Sequence, residues 1–395
     1  MDSTLLNREQ QEFIDEHLDS NLTALLLKES KHSTFDIKAL IEQIEAKKRA
    51  QKKLPTWFAA KNIYYPNKLN IEQTSSEATA LYKSNLVSGD SLIDLTGGFG
   101  IDCYYFSKRF KQVTHCEINP RLSQIVKHNF SVLNRENIRC LPQDGLAVLE
   151  ENDSSYSTIY VDPSRRNDSK GKVFMLSDCL PNIPKHLDLL FKRSKTILIK
   201  TSPLLDISIG ISELQHVKTI YSVALNNEVK ELLWLLEKGY NDGIEVRTVN
   251  INKGKQDTFN FELEEETSHE ADYSVPLNYL YEPNAAILKS GAFNSLATRL
   301  KLKKLHKHSH LYTSQALIDF PGRSFKIDTT SDYNVKHFKK TFKLTKANVT
   351  TRNFPDTVSS IRKKLKLSDG GDIYLFFTTN LNNKKVVIRC TKTSS

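Results

Sequence analysis

The stretch "SLIDLTGGFGID", Ser91–Asp102, decides the fold class of this chain. Its first residues form a short apolar strand pattern that ends with the acid Asp94. Three of the four positions after Thr96 are glycine, which accepts backbone conformations that other residues resist. A loop of this kind turns tightly and lets its backbone approach a ligand at the start of the next helix. The stretch therefore predicts a strand, a ligand-binding loop and a helix.

The segments that follow alternate between strand and helix patterns. The predicted strands are short and rich in apolar or β-branched residues: "QVTHC" (112–116), "NIRCL" (137–141), "STIYV" (157–161) and "KTILIK" (195–200). Apolar residues at helical spacing separate them, as in the segment after Pro120. This alternation predicts an α/β fold with a parallel sheet, closed by an antiparallel pair, "VKTIYSVAL" and "KELLWLLEKG".

Length and patterning predict four parts. Residues 1–70 form an N-terminal helical unit and 71–270 the α/β domain, followed by α+β domains at 271–325 and 326–395, with the acidic stretch 262–273 near the boundary. Within the third part we expect a strand at 277–283, one basic helix at 284–305 and a strand at 315–320. The last part should end in two strong strands, "GDIYLFFTT" and "KKVVIRCT".

Charge is distributed unevenly along the chain. Residues 289–395 contain 22 Lys and Arg against 6 Asp and Glu, a net charge of +16, whereas the whole chain carries +10. Residues 1–288 therefore sum to −6. A regional excess of cations favours a polyanionic partner such as RNA over a basic surface that only aids solubility.

Location and metal binding are predicted from composition. The N-terminus has no basic or apolar signal region and no apolar run is long enough for a membrane span. The five cysteines form no metal-binding spacing, and the alternating His306, His308 and His310 have no acidic or cysteine companion. We expect a cytoplasmic protein with reduced thiols, no metal and no membrane, and we favour a monomer.

Acidic residues follow each of the next three strands. Glu117 ends the second strand, Asp144 follows the third and Asp162–Pro163 follows the fourth. A carboxylate after the second strand accepts ribose hydroxyls in dinucleotide and S-adenosylmethionine (SAM) sites alike. The dehydrogenase pattern would need glycine at Cys103, and the loop contains no Walker lysine. Each acid could alternatively be a helix cap or a turn residue.

These features, in this order over about Gln73–Lys238, resemble the class I SAM-dependent methyltransferases, whose sheet is Rossmann-like. The resemblance implies SAM as cofactor, with its methionine end at Asp94, Gly98 and Gly100, its ribose at Glu117 and its adenine at Asp144. It also implies that Asp162 and Pro163 line the methyl acceptor as catalytic residues. Independently of the resemblance, Arg165 and Arg166 are candidates for binding a substrate phosphate or carboxylate, or for a surface ion pair.

The sequence does not identify which substrate atom accepts the methyl group. The loop "DLTGGFGID" is similar to that of a ribosomal-RNA guanine-N2 methyltransferase family, but Ser164 and Arg165 stand where amino methyltransferases carry Pro and an aromatic residue. Uridine-C5 methyltransferases need a nucleophilic cysteine after the fifth strand, and "LIKTSPLLDI" has none.

A narrower resemblance spans nearly the whole chain. Its motifs "LPTW", "EQTSSEATALYK", "DPSRR", "KTSPLLD" and "YLYEPNAAILKSGAF" look like those of bacterial class I methyltransferases with a ferredoxin-like domain and a C-terminal THUMP-like domain. That likeness implies a ribosomal or transfer RNA base as substrate. The alternatives are a small-molecule or protein methyltransferase, and a non-catalytic protein that binds SAM or RNA.

Overall fold

Short helices occupy the first part of the chain, where apolar residues recur at helical spacing. The computed structural model describes residues 1–29, 35–165 and 175–393. The first helices are α1 (Arg8–Glu16), α2 (Leu22–Glu29), α3 (Ile37–Lys53), α4 (Pro55–Ala59), α5 (Lys68–Gln73) and α6 (Glu77–Ser84). Pro55 begins α4 directly after α3, and the Ser76 hydroxyl caps α6 by accepting from the Thr79 N–H.

Strands and helices then alternate. The elements are β1 (Gly89–Asp94), α7 (Ile101–Phe106), β2 (Phe110–Cys116), α8 (Pro120–Val132), β3 (Ile138–Leu141), α9 (Gly145–Glu151), β4 (Tyr156–Val161), β5 (Ser164–Arg165), β6 (Cys179–Leu180), α10 (Ile183–Arg193), β7 (Ser194–Thr201) and α11 (Ile207–Glu213). Five of the strands are parallel neighbours in the order β7-β4-β1-β2-β3. The predicted α/β sheet is therefore confirmed.

The order of these strands fixes where a ligand can bind. Strand β1 lies between β2 and β4, so the chain runs outward from β1 in one direction and then in the other. In open parallel sheets, ligands bind outside the carboxyl ends of the strands where this reversal occurs. The loops that follow Asp94 and Val161 flank that point.

Four more strands and one helix follow: β8 (Val217–Leu225), β9 (Glu228–Glu237), β10 (Glu245–Asn252), β11 (Lys255–Glu262) and α12 (Leu263–Ser268). Strand β10 pairs in parallel with β8 and antiparallel with β11. Neither β10 nor β11 is among the strands predicted from the sequence, and most side chains of β11 are polar and exposed. The chain divides into two compact units, 1–218 with 233–241 and 219–232 with 242–395.

The rest of the second unit is an α+β region with its own sheet. Its elements are β12 (Tyr279–Pro283), α13 (Ala285–Ser290), α14 (Asn294–Arg299), β13 (Lys303–Lys304), β14 (Tyr312–Ser314), β15 (Gly322–Asp332), α15 (Val335–Phe342), β16 (Asn348–Arg352), α16 (Val358–Leu365), β17 (Ile373–Thr379) and β18 (Lys385–Lys392). The sheet order is β13-β14-β12-β15-β18-β17-β16. The strands predicted at 277–283, 371–379 and 384–391 are thus present as β12, β17 and β18.

Two predicted elements of this region are wrong. The single helix expected at 284–305 is two short helices, because Gly291 takes a left-handed conformation (φ 79°) and ends α13. The segment 315–320 is not a strand. The Ala316 carbonyl and the Ile318 N–H bond instead to the hydroxyl of Tyr281.

In the described part of the chain, no helix is long and apolar enough to cross a membrane.

Candidate active site

The carboxyl ends of the parallel strands bring the predicted residues to one edge of the sheet. In the strand register, Asp94 lies opposite both His115 and Tyr160, and Tyr160 lies opposite Leu198. Three charged residues each stand two positions beyond this row: Glu117, Asp162 and Lys200. The side chains from separate parts of the sequence therefore come together where the fold opens its ligand crevice.

The glycine loop crosses this edge with an unusual backbone. Gly98 and Gly100 have φ values of 52° and 80°, in the left-handed region that favours glycine. A Cβ on Gly100 would lie 2.6 Å from Phe130 Cζ and 2.8 Å from Val126 Cγ1, so this glycine is needed for close packing on α8. A Cβ on Gly98 would meet only the Thr96 carbonyl, at 3.8 Å, so Gly98 faces open space.

Asp94 lies beneath the loop and is 1% exposed. One carboxyl oxygen accepts from the Thr96 N–H at 2.9 Å, and the other accepts from the Cys103 thiol at 3.2 Å. Burial raises the pKa of Asp94 to about 7. The Asp94 side chain thus anchors the start of the loop from within.

His115 supports the same loop, although the sequence analysis did not select it. The imidazole is fully buried, and its Nε2 lies 3.2 Å from the Gly98 carbonyl. A Cβ on Gly97 would collide with this ring, so the pair His115 and Gly97 is sterically matched. Burial lowers the pKa of His115 to about 4, which keeps the ring neutral at pH 7. The available signal was a polar residue within the apolar pattern "QVTHC".

Glu117 fixes the loop from the neighbouring strand. Its carboxylate accepts from the Gly98 N–H at 3.0 Å and from the Asn119 N–H at 2.8 Å. The next residue, Ile118, is 71% exposed, which is high for a large apolar side chain at the edge of a crevice. A partly exposed carboxylate next to an exposed apolar side chain suits a ligand with hydroxyls and a flat ring.

Asp144 is an exposed N-cap of α9. Its Oδ1 accepts from the Leu146 N–H at 2.7 Å and from the Ala147 N–H at 3.4 Å. Asp144 therefore caps helix α9, which is one of the two roles that its position in the sequence allows. It does not preclude contact with a ligand, because a carboxylate has several acceptor positions.

A buried polar network lies behind the loop. Asp102 accepts from the Ser75 hydroxyl at 2.9 Å and from the Tyr160 hydroxyl at 2.8 Å, and Lys83 Nζ lies 3.2 Å from its other oxygen. Lys83 is itself fully buried and donates to Ser75. Burial alone would raise the pKa of Asp102, but Lys83, Lys200 and the two hydroxyl bonds hold it below its ordinary value. Asp102 therefore stays ionised and ties α6 to the loop and β4.

Asp162 forms an ion pair with Lys200, which the sequence analysis overlooked. Their side chains are 35% and 12% exposed, so the carboxylate stays accessible while the lysine side chain is largely buried. The Asp162 N–H donates to the Thr96 hydroxyl at 2.7 Å, and this hydroxyl also bonds to Asp94 at 3.3 Å. Thr96 thereby links the loop after β1 to the loop after β4. The signal for Lys200 was a lysine that ends the apolar strand "ILIK".

The adjoining predicted residues are placed only in part. Pro163 is buried next to Asp162. Strand β5 pairs with β6, with Arg165 opposite Cys179, but the Arg165 side chain and all of Arg166 lie outside the described residues. Beyond that gap, the N–H groups of Leu176 and Ser177 donate to the Glu213 carboxylate at 2.7 and 2.9 Å.

Comparisons with known proteins place the chain among methyltransferase-like structures. The crystal structure of a protein from Porphyromonas gingivalis W83, assigned as a methyltransferase, matches with a TM-score of 0.88 and 31% identity over 97% of each chain. A ferredoxin-like domain model matches residues 279–321, and a THUMP domain-like model matches residues 322–392. No curated protein matches the sequence.

Two further structures match only part of the chain. An rRNA methylase from Streptococcus thermophilus aligns with 40% of this chain and 94% of its own, at 12% identity and a TM-score of 0.30. A protein from Streptococcus mutans in complex with SAH, also assigned as a methyltransferase, aligns with 41% and 96%, at 14% identity and a TM-score of 0.31. Matches at this level are too weak to assign a substrate or a cofactor.

Proposed function

We propose that this chain, which belongs to the family of bacterial class I methyltransferases with a ferredoxin-like domain and a THUMP-like domain, transfers a methyl group from SAM to a base of RNA. The observation that carries the proposal is the Gly98–Glu117 arrangement at the switch point of the sheet. Family membership supports the reaction class, and the site and the charge distribution support the cofactor and the partner.

The residues present fit SAM. Space is open over Gly98, where any side chain would project toward the ligand. The partly exposed carboxylate of Glu117 can accept both ribose hydroxyls, and Ile118 offers an apolar surface to the adenine ring. Asp144 lies beyond the end of β3, where it can accept from the adenine amino group. The buried Asp94 would act on the methionine end through the loop it anchors.

At the acceptor side, the chain supplies a carboxylate whose orientation is fixed. SAM, when bound, supplies a methyl group on an electrophilic sulfonium, so alignment of the acceptor is the main contribution that the protein must make. Asp162 can accept a hydrogen bond or a proton from the acceptor group. Lys200 holds that carboxylate in place through the ion pair. Pro163 stiffens the loop that presents it.

RNA is the proposed acceptor because of the second unit. Residues 289–395 carry a net charge of +16, and the helix α16 alone contributes three cations at Arg362, Lys363 and Lys364. Clustered cations neutralise phosphates and make binding depend on salt. A small-molecule or protein acceptor would not need this charge. The proposal leaves the modified base and the methylated atom unassigned.

The cofactor assignment is tested by calorimetry with SAM and S-adenosylhomocysteine. Glu117→Gln should weaken the binding of both ligands by about 1.5–3 kcal/mol, the usual contribution of hydrogen bonds to a charged group. Glu136→Gln, an exposed glutamate in the turn after α8, is the matched control and should bind normally. Binding of NADH without binding of SAM would refute the cofactor assignment.

The acceptor assignment is tested separately, with labelled SAM and RNA from a strain that lacks the gene. Transfer of label to RNA, followed by mass spectrometry of the nucleosides, would identify the base. Firm binding of SAM and RNA without any transfer would instead support the non-catalytic alternative. Transfer to protein or to small molecules, with none to RNA, would support the alternative of a protein or small-molecule methyltransferase.

A further inference from the structure

A buried carboxylate in the second unit holds two arginines. Glu282 on β12 has a side chain that is 4% exposed. Its Oε2 accepts from Nε of Arg323 at 2.7 Å and also from Nη2 of that residue. Its Oε1 accepts from Nε of Arg352 at 3.1 Å and from Nη2 at 2.9 Å. Each guanidinium therefore presents one complete edge to one carboxylate oxygen.

The curvature of the sheet brings these residues together. Arg323 on β15 is the register partner of Glu282, so this contact is between adjacent strands. Arg352 ends β16, which is four places from β12 in the strand order. Strand β15 carries a bulge between Ile327 and Thr329, and bulges bend strands and increase twist. The contact between Arg352 and Glu282 thus links β12 to β16, an edge strand of the seven-stranded sheet.

The arginines have more charge than the carboxylate needs. One guanidinium neutralises one carboxylate, so the second leaves the cluster with a net charge of +1. The two arginine side chains remain 40% and 35% exposed. Within the described residues, neither Nη1 atom has a hydrogen-bond partner, so each arginine keeps donors for another group. Because their Nε edges are fixed by Glu282, little side-chain entropy is lost when these donors bind.

A partly buried histidine lies near Arg352. His310 lies against Phe293 with ring centroids 3.6 Å apart, at the same rim. Burial, together with the nearby charges of Lys304 and Arg352, lowers the pKa of His310 to about 4, so its ring is neutral at pH 7. Asn353, next to Arg352, contacts Nδ1 of His306 at 2.9 Å.

We propose that Arg323 and Arg352, held in place by Glu282, form a clamp for a phosphodiester of the RNA backbone. Two fixed guanidiniums can donate to the two non-bridging oxygens of one phosphate, a geometry for which arginine is better suited than lysine. The clamp contacts backbone rather than bases, so it positions RNA without selecting its sequence. This inference rests on RNA being the acceptor in the proposed function.

The test uses the full-length protein and a fluorescently labelled RNA, with binding measured by anisotropy from 50 to 300 mM salt. The variants are Arg323→Gln, Arg352→Gln and both together. Arg299→Gln is the matched control, because Arg299 is similarly exposed and is paired with Glu265 elsewhere in the same unit. We expect each clamp variant to weaken binding about three- to tenfold and to reduce the slope of log K against log salt, by up to about one for the pair.

The outcomes separate the clamp from the proposed function. If the wild-type protein binds RNA and the clamp variants match Arg299→Gln in affinity and slope, the clamp is refuted and RNA methylation stands. If the wild-type protein does not bind RNA at 50 mM salt, RNA is refuted as acceptor and the clamp fails with it. SAM affinity, measured by calorimetry, is independent of both results.

Misfolding is controlled by a second pair of substitutions. Arg323→Lys with Arg352→Lys keeps both charges but removes the planar donor pairs. We expect weaker binding with an unchanged salt slope, and thermal melting checks that the fold persists. Wild-type affinity in this variant would contradict a clamp that depends on guanidinium geometry.

Discussion

In the proposed function, Asp162 acts together with Lys200, a residue 38 positions away that forms an ion pair with it. An isolated carboxylate at the mouth of a crevice would rotate freely and be neutralised by solvent ions. The ammonium of Lys200 is largely buried, so it restrains the carboxylate on one side and leaves the other side for an acceptor. The Thr96 hydroxyl fixes the backbone of Asp162 in addition. The position of the Asp162 carboxylate is therefore set before any ligand arrives.

Replacing Lys200 by methionine should reduce methyl transfer more than cofactor binding. We expect kcat to fall at least tenfold, because Asp162 loses its restraint, while the SAM affinity changes less than twofold. Lys195→Met, on the exposed part of the same strand, is the control and should leave kcat unchanged. Single-turnover transfer and calorimetry measure the two effects. Equal kcat values for the two variants would show that Lys200 does not position Asp162.

Asp94 and His115 should give the stability of the protein opposing pH dependences. The pKa of Asp94 is raised to about 7, so between pH 4 and 7 the folded state keeps a proton that the unfolded state releases. Stability from this group therefore falls as pH rises through that window. The pKa of His115 is lowered to about 4, so its contribution is lost as pH falls from 6.5 toward 4.

Asp94→Asn removes only the first of these effects. The stability of the variant relative to wild type should increase from pH 4.5 to pH 7.5, by up to about 4 kcal/mol for a shift of three pKa units. Denaturant unfolding at four pH values measures the difference, and the exposed Asp188→Asn is the control. A difference that does not change with pH would mean that Asp94 is ionised in the folded protein throughout.

At the scale of elements, the loop between β1 and α7 is restricted by its neighbours rather than by its own sequence alone. It is fastened by Asp94 from below, by His115 from the adjacent strand and by Glu117 from the side. Helix α8 packs against Gly100. The loop therefore has one conformation in which its N–H groups are already oriented.

Gly100→Ala should show how much of this arrangement depends on close packing. Gly239→Ala is a matched control, because Gly239 also has φ of 80° but a Cβ there would meet nothing within 4 Å. The free energy of unfolding of the control should fall by only about 1–2 kcal/mol, the cost of placing alanine in the left-handed conformation. Gly100→Ala should lose roughly 1–3 kcal/mol more, from collision with Phe130 and Val126, and should bind SAM poorly. Thermal unfolding and calorimetry measure both, and equal losses would contradict the packing argument.

The sequence predicted the elements whose signals are local. Apolar runs between helical patterns identified β1, β2, β3, β4 and β7, and the acids after them could be placed because parallel strands end at a common edge. Lys200 and His115 were missed, because only the register shows that they face the loop. The polar strand β11 was missed because its partner β10, and not its own composition, makes it a strand.

At the scale of the whole molecule, the second unit needs strands that precede its C-terminal domains. Its core contains Phe259 and Phe261 of β11 and Val246 of β10, packed with Tyr281 and Tyr312. The residues of β10 and β11 in this core lie before the acidic stretch 262–273, which is predicted to lie near a domain boundary. The three boundaries between the four predicted parts remain a prediction, but a cut near residue 272 would expose part of this core.

A fragment that begins at Val217 should fold, and one that begins at Asp272 should not. Loss of a buried phenylalanine side chain costs about 3–5 kcal/mol, so removal of the three core residues exceeds the stability of an ordinary domain. Circular dichroism and urea unfolding of the two fragments measure this. A cooperative transition in the shorter fragment would show that β10 and β11 are dispensable for its core.

The route of the chain between its two units has a consequence for how such a protein is made and how it can change. The polypeptide moves from one unit to the other after residues 218, 232 and 241, so each unit is discontinuous in sequence. On the ribosome, the first unit is incomplete until residue 241 has been synthesised, and the segment 219–232 emerges before the rest of its own unit. Joining two genes end to end cannot exchange one unit for another, because any single junction would divide at least one of them. The two units therefore cannot be separated by a single cut of the chain.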